Sequence, residues 1–345
     1  MKIAIIGATG YGGVELLRFL QHHPFVNVQS VHSSSQEGTA LSAVYPHLQQ
    51  AESFMLEKID VEQISKTSDI VFLATPPGVS SELTPRFYEC GVKVIDLSGD
   101  FRIKEGHVYE QWYKRTAPPQ TYLEKAVYGL SEWNHSEVND AKIVANPGCY
   151  PTATLLGLAP LVQNGLIKED SIVIDAKSGV SGAGRHVSLS THFSETNENV
   201  KIYKVNEHQH IPEIEQMLLK WNGQIKPITF STHLIPMTRG IMATIYAQAE
   251  KELSTEMLVD LYKTSYEAAK FVRIREPGNY PSTKEVYGSN YCDIGMAYDE
   301  RTGRITVVSV IDNLVKGAAG QAVQNLNIMM GIEEDTGLQF MPVYP

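Results

Sequence analysis

Cysteine is scarce in this chain: Cys90, Cys149 and Cys292 are three residues among 345, with no paired spacing. That excludes a disulfide framework and any CxxC metal site, leaves no metal expected, and makes a reducing, cytoplasmic setting the expectation. Long apolar runs are missing too. No stretch approaches about 18 consecutive apolar residues, so no transmembrane helix and no membrane partner are expected. The first apolar run, Ile3-Ala4-Ile5-Ile6, is interrupted at once by Gly7-Ala8-Thr9-Gly10, which is not a signal-peptide pattern. Positive charge is in deficit, with Lys+Arg 29 against Asp+Glu 39 and a net charge of −10. A nucleic-acid partner needs a basic surface and is therefore not expected. An anionic ligand would have to be held by a few local Arg or Lys residues against the overall field. Internal repeats and low-complexity segments are also absent. What is present, 43% hydrophobic and 20% charged residues, is ordinary globular composition, and the length allows two domains.

The first half alternates strands and helices. A buried-strand run at residues 2–6 meets the turn Gly7-Ala8-Thr9-Gly10-Tyr11-Gly12-Gly13, after which Val14, Leu16, Leu17 and Leu20 recur at helical spacing. Strand, glycine turn and helix form the context of a dinucleotide fingerprint, here spaced G-x-x-G-x-x-G. Gly7 would permit the tight turn, Gly10 the approach of backbone to a pyrophosphate, and Gly13 close helix–strand packing. A second strand at 26–31 ends in His32-Ser33-Ser34-Ser35, with no Asp or Glu to hold a ribose 2′-hydroxyl. Small hydroxyl side chains and His32 leave room and donors for a 2′-phosphate, which favours NADP. No Arg or Lys lies between Gln29 and Glu57, and a plain polar loop is the competing reading. Strands at 69–74 and 93–97 continue the alternation; the first runs into Thr75-Pro76-Pro77-Gly78, a loop placed to lie over a cofactor. The pattern predicts a parallel, doubly wound α/β sheet. Residues 103–135 form an aromatic, proline-bearing excursion, and Cys90, in a helical and partly apolar pattern, is expected in the core.

The segment Asn146-Pro147-Gly148-Cys149-Tyr150-Pro151-Thr152-Ala153 places a cysteine where a strand at 142–145 ends and a helix at 152–162 begins, with Pro151 at its entrance. A helix N-terminus favours an anion and lowers a thiol pKa, which would create a nucleophile. A buried structural cysteine is the alternative. Beyond this point the strands, at 171–176, 228–234, 242–247 and 305–310, are longer and more alternating. They fit a mixed or antiparallel sheet covered on one face by helices at about 211–222 and 254–270. The domain boundary is expected near Cys149, which would put the thiol between domains. The loop Lys177-Ser178-Gly179-Val180-Ser181-Gly182-Ala183-Gly184-Arg185 offers an anion site or a flexible glycine loop. His208-Gln209-His210, just ahead of a helix, offers a proton shuttle, metal ligands without further partners at suitable spacing, or surface and capping roles.

Several of these motifs, in this order, closely resemble the N-acetyl-γ-glutamyl-phosphate reductase family end to end. They are Gly7 to Gly13, Leu97-Ser98-Gly99-Asp100-Phe101-Arg102, Asn146 to Thr152, Ser178 to Arg185, His208-Gln209-His210-Ile211-Pro212-Glu213, and a closing segment from Asp312 to Ala322. The resemblance implies a Rossmann-type NADP-binding domain, residues 1–148 with 314–345. It implies an α+β substrate and dimerisation domain with a mixed sheet, residues 149–313. It further implies a Cys149 thioester formed from an acyl-phosphate substrate, reduced with NADPH, and a proton transfer assigned first to His208 and second to His210. Cofactor contacts are then expected from Gly7, Thr9, Gly10, Tyr11, Gly12, Gly13, Ser33, Ser34, Ser35, Pro76, Ser178, Gly179 and Asn313. Substrate contacts are expected from Arg102, Asn146, Ser181, Gly182 and Arg185, with Arg239 a weaker candidate, and a homodimer or homotetramer is expected. The rivals are a sister reductase acting on an aminoadipate derivative or aspartyl phosphate, and a nucleotide-binding redox sensor, which would need a resolving cysteine.

Overall fold

The computed structural model describes residues 1–49 and 54–344. They divide into two compact units, Met1–Pro147 with Ala318–Gln339, and Gly148–Gly317 with Phe340–Pro345. Within the first unit the order is β1 (Lys2–Ile6), α1 (Tyr11–Leu20), β2 (Asn27–His32), α2 (Leu41–Val44), β3 (Leu56–Glu57), α3 (Val61–Thr67), β4 (Ile70–Leu73) and α4 (Val79–Glu89). There follow β5 (Lys93–Asp96), α5 (Gly106–Tyr113), α6 (Gln120–Lys125), β6 (Ala126–Tyr128), α7 (Ser131–Asn139) and β7 (Ile143–Ala145). The second unit runs α8 (Cys149–Gln163), β8 (Val173–Gly179), α9 (Phe193–Thr196), β9 (Lys201–Tyr203), α10 (His210–Trp221), β10 (Thr229–Ile235) and β11 (Ile241–Gln248). It continues through α11 (Thr255–Ser265), β12 (Val272–Ile274), β13 (Cys292–Asp299) and β14 (Arg304–Ile311), before α12 (Gly320–Met329) returns to the first unit.

All seven strands of the first sheet are parallel, in the order β3-β2-β1-β4-β5-β7-β6. The winding reverses between β1 and β4, the switch point at whose carboxyl ends such sheets bind ligands. Apart from exposed Lys2 at the start of β1, the central strands β1 and β4 are apolar and buried, as double-sided cover requires. Two strands were not legible in the sequence. β3 has only two residues, and β6 lies inside the excursion at 103–135, where three short helices surround it. Helix α12 is buried over its whole length although it carries Gln321, Gln324, Asn325 and Asn327. Its amides are spent internally. Asn325 donates to the Gly129 carbonyl at 2.8 Å and to Asn146 Oδ1 at 3.1 Å, and accepts from Ser131 Oγ at 2.8 Å. Gly129 is required there, because a Cβ would stand 2.4 Å from the Asn325 amide nitrogen.

The second sheet is mixed, in the order β12-β13-β14-β11-β8-β10-β9, with β8–β10 and β12–β13 parallel and the other pairs antiparallel. β11 alternates buried and half-buried residues throughout, the sign of one covered face. Helix α8 supplies that cover and is buried from Tyr150 to Val162. Gly157 brings it close, since a Cβ there would lie 2.9 Å from Ile245 Cδ1. Pro160 removes the N–H that would bond the Leu156 carbonyl one turn back. Tyr266, just past α11, donates its hydroxyl to that carbonyl, and Tyr262 donates to Gly157.

Replacing Asn325 by Ala strands Asn146 Oδ1 and the Ser131 hydroxyl proton in a buried setting, while the Gly129 carbonyl keeps the Gln321 amide. The expected loss is about 2–3 kcal/mol of unfolding free energy, read from urea titrations of the two proteins.

Candidate functional site

In the first unit the glycine turn is built for a phosphate. A Cβ at Gly7, which has φ +89°, would lie 2.3 Å from the Ala74 carbonyl oxygen, and one at Gly13 would lie 2.3 Å from the Gly7 oxygen. Gly12 has nothing within 4 Å of its virtual Cβ. Gly10 caps α1 with no side-chain hydrogen bond, so the N–H groups of the first turn meet an open cradle. A nicotinamide dinucleotide therefore fits, its pyrophosphate at the start of α1. Thr9, Tyr11 and Gly12 are half-buried around this turn, and Pro76 is exposed on the loop after β4. At the end of β2, His32 does not serve as expected. It is buried, its Nε2 bonded to Ser30 Oγ at 2.8 Å and its Nδ1 to the Lys58 carbonyl at 2.9 Å. Ser33 is also buried, which leaves Ser34 and Ser35 as the exposed hydroxyls. Cys90 is exposed rather than in the core, because it is the residue that ends α4.

The motif at 97–102 folds over two buried carboxylates. Asp100 accepts from the Gly78 and Ser81 N–H groups and from the Ser80 and Tyr109 hydroxyls. Asp96 accepts from the Ser98 N–H at 2.9 Å through one oxygen, and its other oxygen has no partner. Burial, reinforced by the Asp100 charge, pushes its carboxyl up to about 6. Arg102 is not an open cation. Its Nε donates to the Asn146 carbonyl at 2.7 Å and its Nη2 to the Leu97 carbonyl at 2.9 Å, and only 6% of the residue is exposed. Asn146 is fully buried, giving its amide to the Ala318 carbonyl and accepting from Asn325. Both side chains brace the first unit through these bonds.

In the second unit the helix of interest starts three residues before its expected first residue. Cys149 is the first helical residue of α8, Gly148 is its N-cap, and Pro151 falls within the first turn, where its missing N–H costs nothing. The Gly148 N–H donates to buried Glu213 at 2.8 Å. Cys149 is half-buried. Backbone also abuts it, since a Cβ at Gly317 would stand 2.8 Å from Cys149 Cβ. Next along α8, Tyr150 is ringed by His208 and His210 at 5.6 and 6.0 Å between centroids and accepts from the Tyr203 hydroxyl at 3.2 Å.

The two histidines differ. His208 is 3% exposed and wedged edge-on against Tyr150, Tyr203 and Phe230. Its Nδ1 accepts the His210 N–H at 3.2 Å, which leaves the ring proton on Nε2. Burial, then the Lys204 charge, pulls its pKa down to about 3, which favours the neutral ring. A ring so desolvated is costly to protonate. His210 opens α10, and Glu213 follows three residues later on the same helical face. Because Glu213 reaches Gly148, that face is turned toward the start of α8. Sequence alone assigns Glu213 no role, and its one-turn spacing from His210 is the signal that points to it.

The loop after β8 is zipped to the loop between β10 and β11. Gly179, Val180 and Ser181 donate their N–H groups to the carbonyls of Gly240, Met237 and Thr238 at 2.9, 2.9 and 3.1 Å. Asn313 ties both together, accepting from the Gly240 N–H at 2.8 Å and donating to Ser181 Oγ at 2.9 Å. Ser178 is buried and donates to the Gly179 carbonyl. The side chains of Ser178 and Asn313 thus build the loop, and Gly182 to Arg185 are exposed beyond it. Among the described residues no group of three His, Cys, Asp or Glu is placed to hold a metal ion.

A nucleotide cradle on one unit and a helix-start thiol on the other define a protein of the semialdehyde dehydrogenase class. Residues 2–141 match the family description "Semialdehyde dehydrogenase, NAD binding domain", and residues 149–313 match "Semialdehyde dehydrogenase, dimerisation domain". Aspartate semialdehyde dehydrogenase II from Vibrio cholerae superposes with a TM-score of 0.73 at 20% identity, over 96% of this chain and 98% of that one. The enzyme from Candida albicans, solved with NADP, superposes with a TM-score of 0.70 at 15% identity, over 95% and 98%. At these identities the likeness is one of fold. N-acetyl-gamma-glutamyl-phosphate reductase from Geobacillus sp. (strain WCH70) is 70% identical over 100% of both chains, and that of Bacillus anthracis is 62% identical over 100% of both. The chain belongs to the N-acetyl-γ-glutamyl-phosphate reductase family.

The raised Asp96 carboxyl makes a signed prediction. A folded-state pKa above the unfolded value gives stability that is complete below about pH 4 and lost as pH rises through about 6. Asp96→Asn, which keeps the Ser98 contact, should gain about 1 kcal/mol on the wild type between pH 5 and 7.5, measured by denaturant unfolding across that range.

Proposed function

We infer that this chain reduces N-acetyl-L-glutamyl 5-phosphate to N-acetyl-L-glutamate 5-semialdehyde with release of phosphate, a step of arginine biosynthesis. The observation that carries the reading is Cys149 as the first residue of α8, in a chain alike over its full length to reductases of that name. The helix start favours the thiolate. Sγ adds to the acyl carbon, a C–S bond forms as the C–O bond to phosphate breaks, and inorganic phosphate departs. His210 takes the thiol proton and passes it to the leaving phosphate oxygen, while His208, neutral and walled in, holds the His210 backbone. When bound, the nicotinamide cofactor supplies a hydride to the thioester carbon. The oxyanion that results faces the start of α8, where backbone N–H groups stabilise it. Its collapse breaks the C–S bond, releases the aldehyde and returns the electron pair to Sγ.

NADP rather than NAD is supported by the lack of a carboxylate at the end of β2 and by the exposed hydroxyls of Ser34 and Ser35. A homodimer or homotetramer is supported by the dimerisation-domain match and by the apolar surface of the second unit. Val187, Leu189, Phe193 and Val200 are 95, 76, 77 and 65% exposed, beside the edge strand β9. The described residues contain no helix long and apolar enough to cross a membrane, and a cytoplasmic site of action suits a thiol enzyme.

The decisive assay is phosphate-dependent reduction of NADP with N-acetylglutamate 5-semialdehyde, run beside aspartate semialdehyde, which should be a poor substrate. Cys149→Ser should retain no more than a trace of turnover. His210→Asn should lose about 10²–10⁴-fold in kcat, and His208→Asn should lose less. A larger loss at His208 would overturn the proton assignment. Equal kcat/KM for NADH and NADPH would remove the case for NADP.

A further inference from the structure

An acyl phosphate with a free α-carboxylate brings two anionic ends to a chain of net charge −10. The phosphate end is joined to the acyl carbon that Cys149 attacks at the start of α8. The carboxylate end needs a cation held by folded structure. Arg102 spends two nitrogens on backbone carbonyls in the first unit. Arg185 sits in the exposed run beyond Ser181. Lys177 is paired with Asp175 at 2.6 Å, and Lys316 is fully buried over the Phe271 ring.

Arg239 is different. It lies on the loop between β10 and β11 that the Ser178–Ser181 backbone and Asn313 grip, one residue before Gly240 at φ +115°. Its guanidinium stands over the Tyr287 ring at 5.9 Å and lies 3.6 Å from Asp312 Oδ2, and its side chain is still 21% exposed. Asp312 is itself immobilised, accepting the N–H groups of Gly288, Leu314 and Val315. Its backbone carbonyl accepts the N–H of Gly317, the glycine seated against Cys149. A single buried turn thus connects the guanidinium to the backbone that abuts the thiol. The Tyr287 ring on one side and the buried Asp312 carboxylate on another confine the guanidinium, and its planar fork suits a carboxylate through two hydrogen bonds. The neighbouring Asp312 also offsets one positive charge. That disfavours a dianionic phosphate there more than a singly charged carboxylate.

We propose that Arg239 is the residue that binds the α-carboxylate of the acyl-phosphate substrate and so sets which acyl phosphates this thiol accepts. The proposal rests on the reaction inferred above. Its test uses the reverse direction, in which semialdehyde, phosphate and NADP have separate KM values. Arg239→Gln and Arg239→Lys should raise KM for N-acetylglutamate 5-semialdehyde about 10–100-fold, as loss of a charge-assisted pair implies, with KM for phosphate and NADP unchanged within about twofold. An increase confined to phosphate, or no increase at all, overturns the assignment. Should either variant fold poorly, the substrate is varied instead. The α-carboxamide analogue should be disfavoured by wild type, and a wild type that accepts it equally well overturns the proposal. Absence of any turnover of the semialdehyde by wild type would refute the reaction itself, an outcome separate from an unchanged KM.

Discussion

The hydrogen bond from the Gly148 N–H to Glu213 is the contact on which the second unit's chemistry depends. It satisfies a donor at the start of α8 with a fully buried carboxylate on α10. In doing so it leaves the next residue, Cys149, at the first helical position, and it turns toward that position the face of α10 that carries His210. A carboxylate at a helix N-terminus is stabilised by the dipole there, so the contact supports its own burial. Nucleophile and imidazole are therefore placed by one interaction between two helices rather than by loops.

In each unit the remainder of the candidate site is made by backbone. Glycines at 7, 13, 179 and 317 stand where a Cβ would collide with main chain or with Cys149 itself. Side chains that read as ligands, Asn146, Asn313, Ser178 and most of Arg102, turn out to hold that backbone in place. Polar groups buried at this density are costly unless paired, and nearly every one in the loop cluster has its partner. In the first unit the second oxygen of Asp96 is buried without a hydrogen-bond partner, and there the protein keeps a carboxyl near the edge of ionisation.

Much of this was legible in the sequence because periodicity and turn chemistry are local. The parallel strand–helix alternation, the glycine cradle and the mixed second sheet could be read residue by residue. So could the placing of Cys149 at a helix start, although α8 began earlier than Pro151 suggested. What was not legible depended on partners distant in the chain. His32 looked like a ligand because nothing local shows that Ser30 and Lys58 take both its nitrogens. The burial of His208 escapes local reading because the ring of aromatics that desolvates it is assembled from residues 150, 203 and 230. Strands β3, β6, β9, β12 and β13 escaped notice because short or glycine-interrupted runs carry little periodicity. Cys90 was misplaced by a single residue, the step from the last turn of a helix to its exposed end.

Pro160 deserves a last consideration as a device for indexing. A uniform helix lying on a sheet can slide by a residue and find an equivalent set of carbonyl and N–H pairs. Helix α8 cannot, because its proline creates one carbonyl, that of Leu156, that must meet the Tyr266 hydroxyl. A translation of one residue would leave that oxygen stranded and carry Gly157 off its close approach to Ile245. The axial coordinate of the thiol is thus set from the buried far half of its helix, eleven residues away, like the zero mark on a ruler.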